Sequence, residues 1–569
     1  MNASFPSRVK IISGFIVFIG LLIVAKLFFL QIIHNNDFLE QADRQYFSPS
    51  GNSFDRGSIF MTKYDGTEVT AASVMVGYIL AIVPEKVNDV EDYYNKLNSI
   101  VPIDKDEFTT KSLRKSDPYE EVADHLTKEQ ADSVKALVLS GVNIYKEKWR
   151  VYPGNNLASR TIGFISYKGD DLLGRYGLER SYNDVLSRSH ESTSVNFFAE
   201  LFSNLEHTVF NSKVGQGDIV TTIDPEIEQA LEYELRGVSD KWHSDLTGGI
   251  VMNPKTGEIY AMNALPDFNV NEFSKVTDPS LYGNPLVENV YELGSIIKTL
   301  TMSAGINEGL VTPDTKYDDK GFVIIGTEKI NNFDKKARGV TTMQEVLNQS
   351  LNTGATFVEQ KLGKDKFRDY FLNFEVNKKS GVDLPGEVNN LVSNLKSTRE
   401  IEYATAAFGQ GIALTPISAI RSFTAVANHG VMVTPHLVKK IRFTDGSETI
   451  LEYPTTTTML KESTTETMAK MMTTIVDTAL LSGSEKIEHY SVAAKTGTAQ
   501  IARADGKGYY EDQYLHSVYG FYPAYNPEFI VLMYTVNPKG INYSANTLGR
   551  PFMSLARFLL AYHDVPPDR

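Results

Sequence analysis

Two side chains in the segment LGSIIKTL can act together as a nucleophile and its base. Ser295 and Lys298 stand three residues apart in an apolar stretch, Leu293 to Ile306, that is predicted to be helical, and residues i and i+3 of a helix share a face. A serine hydroxyl is a poor nucleophile until a base takes its proton. Apolar surroundings disfavour a charged ammonium, so Lys298 can be that base near neutral pH. The alternative is a surface helix whose lysine reaches into water.

The spacing Ser-x-x-Lys is common and must be weighed by its surroundings. It begins at Ser7, Ser112, Ser295 and Ser393. Ser7 precedes a long apolar run, and the polar segments around Ser112 and Ser393 are typical of solvated helix surfaces. Only the copy at Ser295 lies in an apolar helix, which makes it the candidate for chemistry.

Lys-Thr-Gly occurs twice, and again the context separates the copies. Lys255 lies in NPKTGE between two predicted strands, where the tetrapeptide forms a hairpin turn and the lysine points to water. Lys495 follows an apolar strand start, and Thr496, Gly497 and Thr498 continue that strand. A lysine and two hydroxyls along a strand edge can bind a carboxylate, and an adjacent backbone N–H can stabilise an oxyanion.

Ser350 and Asn352 form another pattern, Ser-x-Asn, which lies between the other two in the sequence and is called the second motif below. The segment reads as the end of one helix, a short loop and a second helix. The hydroxyl can relay a proton and the amide can hold a substrate backbone, although an ordinary helix cap explains this pattern on its own. Its position between the other two patterns, in one domain, favours a shared site.

The predicted elements place all three patterns in one domain after residue 217. A helix begins at Asp224-Pro225, with the aspartate as N-cap. A helical segment, residues 290–428, is flanked by strands at both ends of the domain, which predicts one antiparallel sheet. The predicted strands are 249–253, 258–263, 491–496, 517–521 and 529–536, and a last helix runs from Pro551 to Tyr562.

The N-terminal half is predicted to be mixed, which makes the protein α+β. Residues 74–83 read as a strand, 89–98 and 127–139 as short helices, and 183–213 as a polar loop near a domain boundary.

Residues 11–33 form an apolar run whose one charge is Lys26. As a helix the run spans roughly 35 Å, enough to cross a hydrocarbon core of about 30 Å. Arg8 and Lys10 precede it, which predicts a cytoplasmic tail at 1–10, a transmembrane anchor at 11–33 and all later residues outside. A cleaved signal peptide is the alternative, but no small-x-small cleavage site follows.

Composition excludes several classes of function. The 569-residue chain has a net charge of −14 and no cysteine, which argues against nucleic-acid binding and excludes disulfides, thiol catalysis and thiolate metal sites. It contains neither H-E-x-x-H nor G-x-S-x-G, so a zinc hydrolase and a Ser-His-Asp hydrolase are unsupported. No metal and no cofactor is expected.

Taken together, the patterns resemble the class B penicillin-binding proteins, which are monofunctional peptidoglycan D,D-transpeptidases. FDRGSIF, RVYPGNNLASRTIGF, YGLERSYNDVL, FGQGIALTPISAI and YGFYPAYNPEFIVLMYTVNP are similar to further signatures of that family. The resemblance implies a membrane-anchored protein with a mixed, dimerisation-like pedestal domain at 34–216. It also implies a transpeptidase domain at 217–569, with helices on both faces of an antiparallel sheet and an all-helical subdomain.

The resemblance also implies residue roles. Ser295 would be the acylated nucleophile, Lys298 its base, and Ser350 and Asn352 the second motif. In the Lys-Thr-Gly motif, Lys495, Thr496, Gly497 and Thr498 would bind the terminal carboxylate. The backbone N–H groups of Ser295 and Thr498 would form an oxyanion hole. This sequence departs from the family at Leu293, where proline is usual, and at Ile296 and Ile297, which make the pocket floor more apolar.

The implied partners are stem peptides ending in D-Ala-D-Ala, β-lactams, a membrane-embedded glycan polymerase and a division or elongation complex at the cytoplasmic membrane. The segment IEYATAAFGQGIALTP resembles the septal type slightly more than the elongation type. A β-lactam sensor and a hydrolase that releases bound penicillin quickly, such as a β-lactamase or D,D-carboxypeptidase, are the alternatives.

Overall fold

The computed structural model describes residues 54–169, 171–188, 215–503, 506 and 508–569. These form two compact units, one of residues 54–55 and 74–149 and a larger one of residues 56–73 and 150–569. The predicted tail and anchor, residues 1–33, lie outside the described residues. In the part of the chain that is described, no helix has both the length and the apolar character needed to span a bilayer. The domain limits 34–216 and 217–569 stay a prediction.

The strands are short except for β2, β4 and three strands near the C-terminus. They are β1 Ile59–Thr62, β2 Glu68–Ile82, β3 Glu120–Leu126, β4 Val142–Val151, β5 Ile165–Lys168, β6 Asp171–Gly174, β7 Gly217–Thr221, β8 Leu246–Met252, β9 Ile259–Leu265, β10 Lys316–Asp319, β11 Phe322–Ile325, β12 Glu328–Asn331, β13 Gly339–Thr342, β14 Val431–Val433, β15 Val438–Phe443, β16 Glu448–Ile450, β17 Thr455–Thr457, β18 Ala493–Ala502, β19 Tyr509–Tyr522 and β20 Phe529–Val536.

The α-helices range from single turns to nineteen residues. They are α1 Val90–Asn98, α2 Lys105–Ser112, α3 Lys128–Ala136, α4 Ser159–Ile162, α5 Gly177–Ser181, α6 Asn183–Leu186, α7 Pro225–Trp242, α8 Pro285–Glu288, α9 Lys298–Asn307, α10 Met343–Asn348, α11 Asn352–Leu362, α12 Lys364–Asn373, α13 Glu400–Ala406, α14 Pro416–Ala427, α15 Glu462–Thr474 and α16 Ser544–Tyr562.

The central sheet of the larger unit is antiparallel throughout, in the order β18-β19-β20-β8-β9. Side chains alternate between its faces. On β19, Val518 and Tyr522 pack with α7 and α16, whereas Tyr519 faces the other core and stacks on Phe423 of α14 at 3.9 Å. Strands from both ends of the domain thus form one sheet with helices on both faces, as predicted, and β18 is left at an edge.

Two predicted elements were wrong in detail. The subdomain predicted to be all-helical contains β10–β13, paired as β10 with β13 and β11 with β12. Gly326 turns the second pair at φ +59°, a backbone conformation that glycine readily adopts. The last helix begins at Ser544, so Pro551 lies inside it. The start was predicted too late in the chain because proline is common in the first turn of a helix.

The smaller unit contains the strand predicted at 74–83 and the two helices predicted at 89–98 and 127–139. The predicted strand is the C-terminal part of β2, and the predicted helices are α1 and α3. Asp89 and Thr127 are their N-caps, each accepting a hydrogen bond from a first-turn backbone N–H. Leu80, Leu97 and Phe108 are among its fully buried core residues. The predicted polar loop lies mostly outside the described residues, since only α6 and two residues after it are described.

Candidate active site

Ser295 lies on a single 3₁₀ turn, Gly294–Ile297, that leads directly into α9. The predicted helix is therefore present, with a tighter first turn in which side chains three apart are eclipsed. Gly294 has φ +64°, and a Cβ added there would lie 2.9 Å from the Thr498 carbonyl oxygen. Only glycine lets this turn come so close to β18. Ile296 and Ile297 are buried, which anchors the turn that bears Ser295 in the core.

The edge strand β18 packs its backbone against that turn. A Cβ added to Gly497 would lie 2.5 Å from the Leu293 carbonyl oxygen and 2.5 Å from Ser517 Oγ. The Ser517 hydroxyl donates to the Leu293 carbonyl at 2.7 Å, which ties the turn that bears Ser295 to β19. Thr496 and Thr498 are partly exposed on the strand.

Ser350 lies in the loop between α10 and α11, as predicted. It adopts φ +55°, in the left-handed region, where a non-glycine residue is strained. Asn352 opens α11, and its Nδ2 donates to the Asn331 carbonyl at 3.0 Å. This pattern is more than the helix cap considered from sequence, because the N-cap position, Leu351, provides no side-chain hydrogen bond.

The two lysines converge on the second motif. Lys298 Nζ donates to the Ser350 carbonyl at 2.5 Å and to Asn352 Oδ1 at 2.8 Å, and lies 3.4 Å from Ser350 Oγ. Lys495 Nζ donates to Ser350 Oγ at 3.0 Å and to the Thr496 carbonyl at 2.8 Å. The Ser350 hydroxyl therefore stands between the predicted base and the predicted carboxylate-binding lysine.

The predicted base and nucleophile are not hydrogen-bonded to each other. Among the described residues, the Lys298 amine makes no hydrogen bond to the Ser295 hydroxyl, a contact expected from their spacing. A neutral amine has two N–H donors and one lone pair. The two closest acceptors, Ser350 O and Asn352 Oδ1, account for both donors and leave the lone pair to accept a proton. Catalytic hydrogen bonds are often long in a ligand-free enzyme and tighten on binding.

Burial sets the protonation of both lysines. The Lys298 side chain is 1% exposed. Its pKa is held well below the usual value, first by the loss of hydration and then by the charge of Lys495. Burial also lowers the pKa of Lys495, to about 7. Lys298 is therefore suited to act as a base and Lys495 sits at the edge of its charged range near neutral pH.

The competing patterns fall elsewhere. Lys255 is exposed on its hairpin turn, as predicted, and Ser393 is exposed. Ser112 was expected at a solvated surface but is buried, because α2 packs that side inward. The Lys115 amine donates to the backbone carbonyls of Pro84 and Val87, so this lysine stabilises a loop. Ser7 lies outside the described residues.

Sequence reasoning missed the residues that support the second motif. Asn332 Oδ1 accepts a hydrogen bond from the backbone N–H of Thr353. Asp319 accepts from Asn332 Nδ2 and from the Thr353 hydroxyl. A distant loop thus caps α11. The only sequence signal is the polar pair Asn331-Asn332 after a β-like run.

Glu292, three residues before Ser295, was also missed. Its carboxylate accepts from the Tyr509 hydroxyl at 3.0 and 3.1 Å and from the Gly411 N–H at 3.0 Å. Burial raises the pKa of this carboxyl. Glu292 thereby joins the start of β19 and the loop at Gly411 to the segment that carries Ser295.

Residues 247–554 match the family model described as the penicillin binding protein transpeptidase domain, more than half of the 569 residues. The chain belongs to this family. Residues 55–217 match the model described as the penicillin-binding protein dimerisation domain. The family predicted from sequence is confirmed, and the chain has that two-domain fold.

Similar proteins include one named for sporulation and one named as a peptidoglycan D,D-transpeptidase. The chain is 30% identical over 436 residues to Stage V sporulation protein D of Bacillus subtilis, covering 75% of this chain and 66% of that protein. It is 23% identical over 560 residues to the peptidoglycan D,D-transpeptidase FtsI of Buchnera aphidicola, covering 97% of this chain and 94% of that protein. The alignment with the sporulation protein thus leaves about a third of that longer protein unmatched.

Solved structures share the fold. Penicillin binding protein 2X from Streptococcus thermophilus has a TM-score of 0.73 at 21% identity, covering 90% of this chain and 81% of that chain. Ligand-free penicillin binding protein 3 from Mycobacterium tuberculosis has a TM-score of 0.65 at 26% identity, covering 74% of this chain and 92% of that chain.

Proposed function

We propose that this chain is a peptidoglycan D,D-transpeptidase that forms an acyl-enzyme through Ser295 and is acylated at the same serine by β-lactams. The observation that carries the proposal is the convergence of Lys298 and Lys495 on Ser350, beside the turn that bears Ser295. Family membership and a relative named as a D,D-transpeptidase support it.

In the first half-reaction the Ser295 hydroxyl attacks the carbonyl carbon of the penultimate D-Ala, and its proton passes to the neutral Lys298 amine. Backbone N–H groups of Ser295 and Thr498 stabilise the oxyanion, a contribution of about 3–4 kcal/mol for one such donor. The C–N bond breaks, and the terminal D-Ala leaves with a proton relayed through the Ser350 hydroxyl. Lys495, Thr496 and Thr498 hold its carboxylate.

In the second half-reaction an amine from a neighbouring stem peptide attacks the acyl-enzyme ester. It loses one proton, Ser295 regains its hydroxyl, and a cross-link replaces the ester. A β-lactam acylates the same serine, but its leaving nitrogen stays attached to the ligand, which blocks the second amine.

Labelling with a fluorescent penicillin tests the nucleophile. We expect Ser295→Ala to abolish the covalent band. Ser393→Ala, which changes the exposed serine of a competing Ser-x-x-Lys pattern, should leave the band unchanged. A persistent band in Ser295→Ala would assign the chemistry to another serine. Release of bound penicillin within seconds would favour the hydrolase alternative.

We place the enzyme in septal synthesis, because the segment around FGQGIALTP resembles the septal type and a relative aligned over 97% of the chain is named FtsI. A relative named MrdA, 26% identical, keeps elongation as the second candidate. Depletion of the protein separates the two roles: filamentous cells indicate division, and spherical cells would refute the septal assignment.

The membrane anchor is part of the same proposal. The apolar run 11–33 preceded by Arg8 and Lys10 supports a single-pass protein with its N-terminus inside and its catalytic part outside, next to a membrane-embedded glycan polymerase. Protease added to intact spheroplasts should degrade the catalytic part; full protection would contradict this orientation.

A further inference from the structure

The first turn of α16 is hydrogen-bonded to β18, the strand proposed to bind the substrate's carboxylate. The Ser544 backbone N–H donates to Thr498 Oγ1 at 3.2 Å. The Ser544 hydroxyl donates to the Ser517 carbonyl at 2.6 Å, and Ser544 is 1% exposed. A buried backbone donor is therefore committed to the hydroxyl of a predicted substrate-binding residue.

The same turn is fixed from two further sides. The Thr547 hydroxyl donates to the Ser544 carbonyl at 3.0 Å and lies 3.0 Å from His516 Nδ1. His516 is buried on β19 and is the cross-strand neighbour of Thr498. β19, its buried His516 and the start of α16 are therefore joined by hydrogen bonds. These contacts fix the position of the Ser544 N–H relative to Thr498.

The direction of the Thr498 proton follows from this contact. A threonine hydroxyl has one O–H donor and two acceptor lone pairs. Because a fixed N–H occupies one lone pair, the rotor is biased toward conformers in which the proton points away from Ser544. Without that N–H the hydroxyl is free to turn its proton toward other acceptors.

We propose that the Ser544 N–H is a positioning group that aims the Thr498 hydroxyl proton at the substrate's terminal carboxylate, and so contributes to the preference for ligands that carry a free carboxylate. The inference rests on the proposed acylation of Ser295. It concerns recognition of the carboxylate, so it predicts an effect on ligand discrimination and not on acylation of every ligand alike.

The chain offers a matched pair of variants. Ser544 is the first residue of α16, a position that accepts proline, and Tyr543 before it is extended at φ −127° and ψ 127°. Ser544→Pro removes both the N–H and the hydroxyl, whereas Ser544→Ala removes the hydroxyl alone. The difference between the two variants isolates the N–H.

The measurement is the second-order acylation rate constant with benzylpenicillin and with its methyl ester. The quantity compared is the rate constant for benzylpenicillin divided by that for its methyl ester. Because a hydrogen bond to a charged group is stronger than one to a neutral group, we expect this ratio to be about tenfold lower in Ser544→Pro than in Ser544→Ala. Equal ratios in the two variants would overturn the inference. A ratio of rates from one sample does not depend on the fraction of folded protein.

A double-mutant cycle assigns the effect to Thr498. In a Thr498→Val background, Ser544→Pro should lower the ratio no further than Ser544→Ala does. An undiminished fall there would show that the N–H acts elsewhere. If proline prevents folding, Thr547→Val loosens the same turn and should give a smaller fall, and an unchanged ratio would count against the inference.

The outcomes also separate this inference from the proposed function. If wild-type Ser295 is not acylated by benzylpenicillin, the proposed function fails. If wild-type Ser295 is acylated, and Ser544→Pro and Ser544→Ala have the same carboxylate-to-ester rate ratio, only the inferred role of Ser544 fails.

Discussion

At the scale of single residues, the proposed mechanism needs opposite protonation states from two lysines that share one partner, Ser350. Lys298 must be neutral to take the Ser295 proton, and Lys495 must be charged to attract a carboxylate. Burial lowers the pKa of both, and the charge of Lys495 lowers the pKa of Lys298 further. The charge on Lys495 thus helps to keep Lys298 in its basic form, which couples substrate binding to base strength.

This coupling predicts the pH dependence of acylation. The rate with benzylpenicillin should fall at acid pH, where Lys298 gains a proton, and should fall again as pH rises through about 7, where Lys495 loses its charge. The methyl ester, which has no carboxylate for Lys495, should keep the acid limb and lose most of the alkaline limb. Stopped-flow acylation from pH 5 to pH 9 measures both profiles; matching alkaline limbs would contradict the role of Lys495.

At the scale of elements, the start of α11 depends on a loop far from it in sequence. Asn332 accepts the Thr353 N–H that Leu351 leaves uncapped. Ser350 and Asn352 lie next to this capped N–H, so we expect the cap to support the proposed catalysis as well as stability.

Asn332→Ala tests this cap. Loss of a helix cap costs about 1 kcal/mol, and a displaced second motif should slow penicillin acylation roughly tenfold, or about 1.4 kcal/mol in the barrier. Thermal unfolding and acylation kinetics measure the two effects. Asn389→Ala, at an exposed asparagine, is the control. Wild-type acylation in Asn332→Ala would show that the cap is only structural.

The sequence predicts the elements that carry the motifs better than the contacts that support them. Strand-like segments at both ends of the domain indicated the central sheet, and local turn chemistry indicated the exposed Lys255. The short strands β10–β13 were missed because four-residue strands leave little periodic signal. Asn332 and Ser544 were missed because their roles depend on which loops meet after folding, and no local pattern encodes that meeting.

At the scale of the whole molecule, one buried carboxylate holds together segments from distant parts of the larger unit. Glu179 accepts from Arg56 Nε at 2.6 Å and from Arg150 Nε at 2.7 Å, and its side chain is fully buried. Burial alone would raise the pKa of Glu179, but the charges of Arg150 and Arg56 hold it below the usual value. The segment 56–73 is joined in this way to residues more than 120 positions later.

Glu179→Gln should therefore destabilise the whole larger unit. Removing one partner of a buried ion pair leaves uncompensated charge and costs about 3–5 kcal/mol. Glu272→Gln, in the exposed pair with Lys275, should cost at most about 1 kcal/mol.

The pH dependence tests the role of the charge. Because the folded-state pKa of Glu179 is depressed, the stability that this carboxylate gives the fold is present above the unfolded pKa and is lost as pH falls through the folded pKa. The gap in melting temperature between wild type and Glu179→Gln should thus be widest near neutral pH and narrow in acid. A gap that stays constant from pH 7 down to the acid limit of the fold, or one no larger than that of Glu272→Gln, would show that the carboxylate charge does not hold these segments.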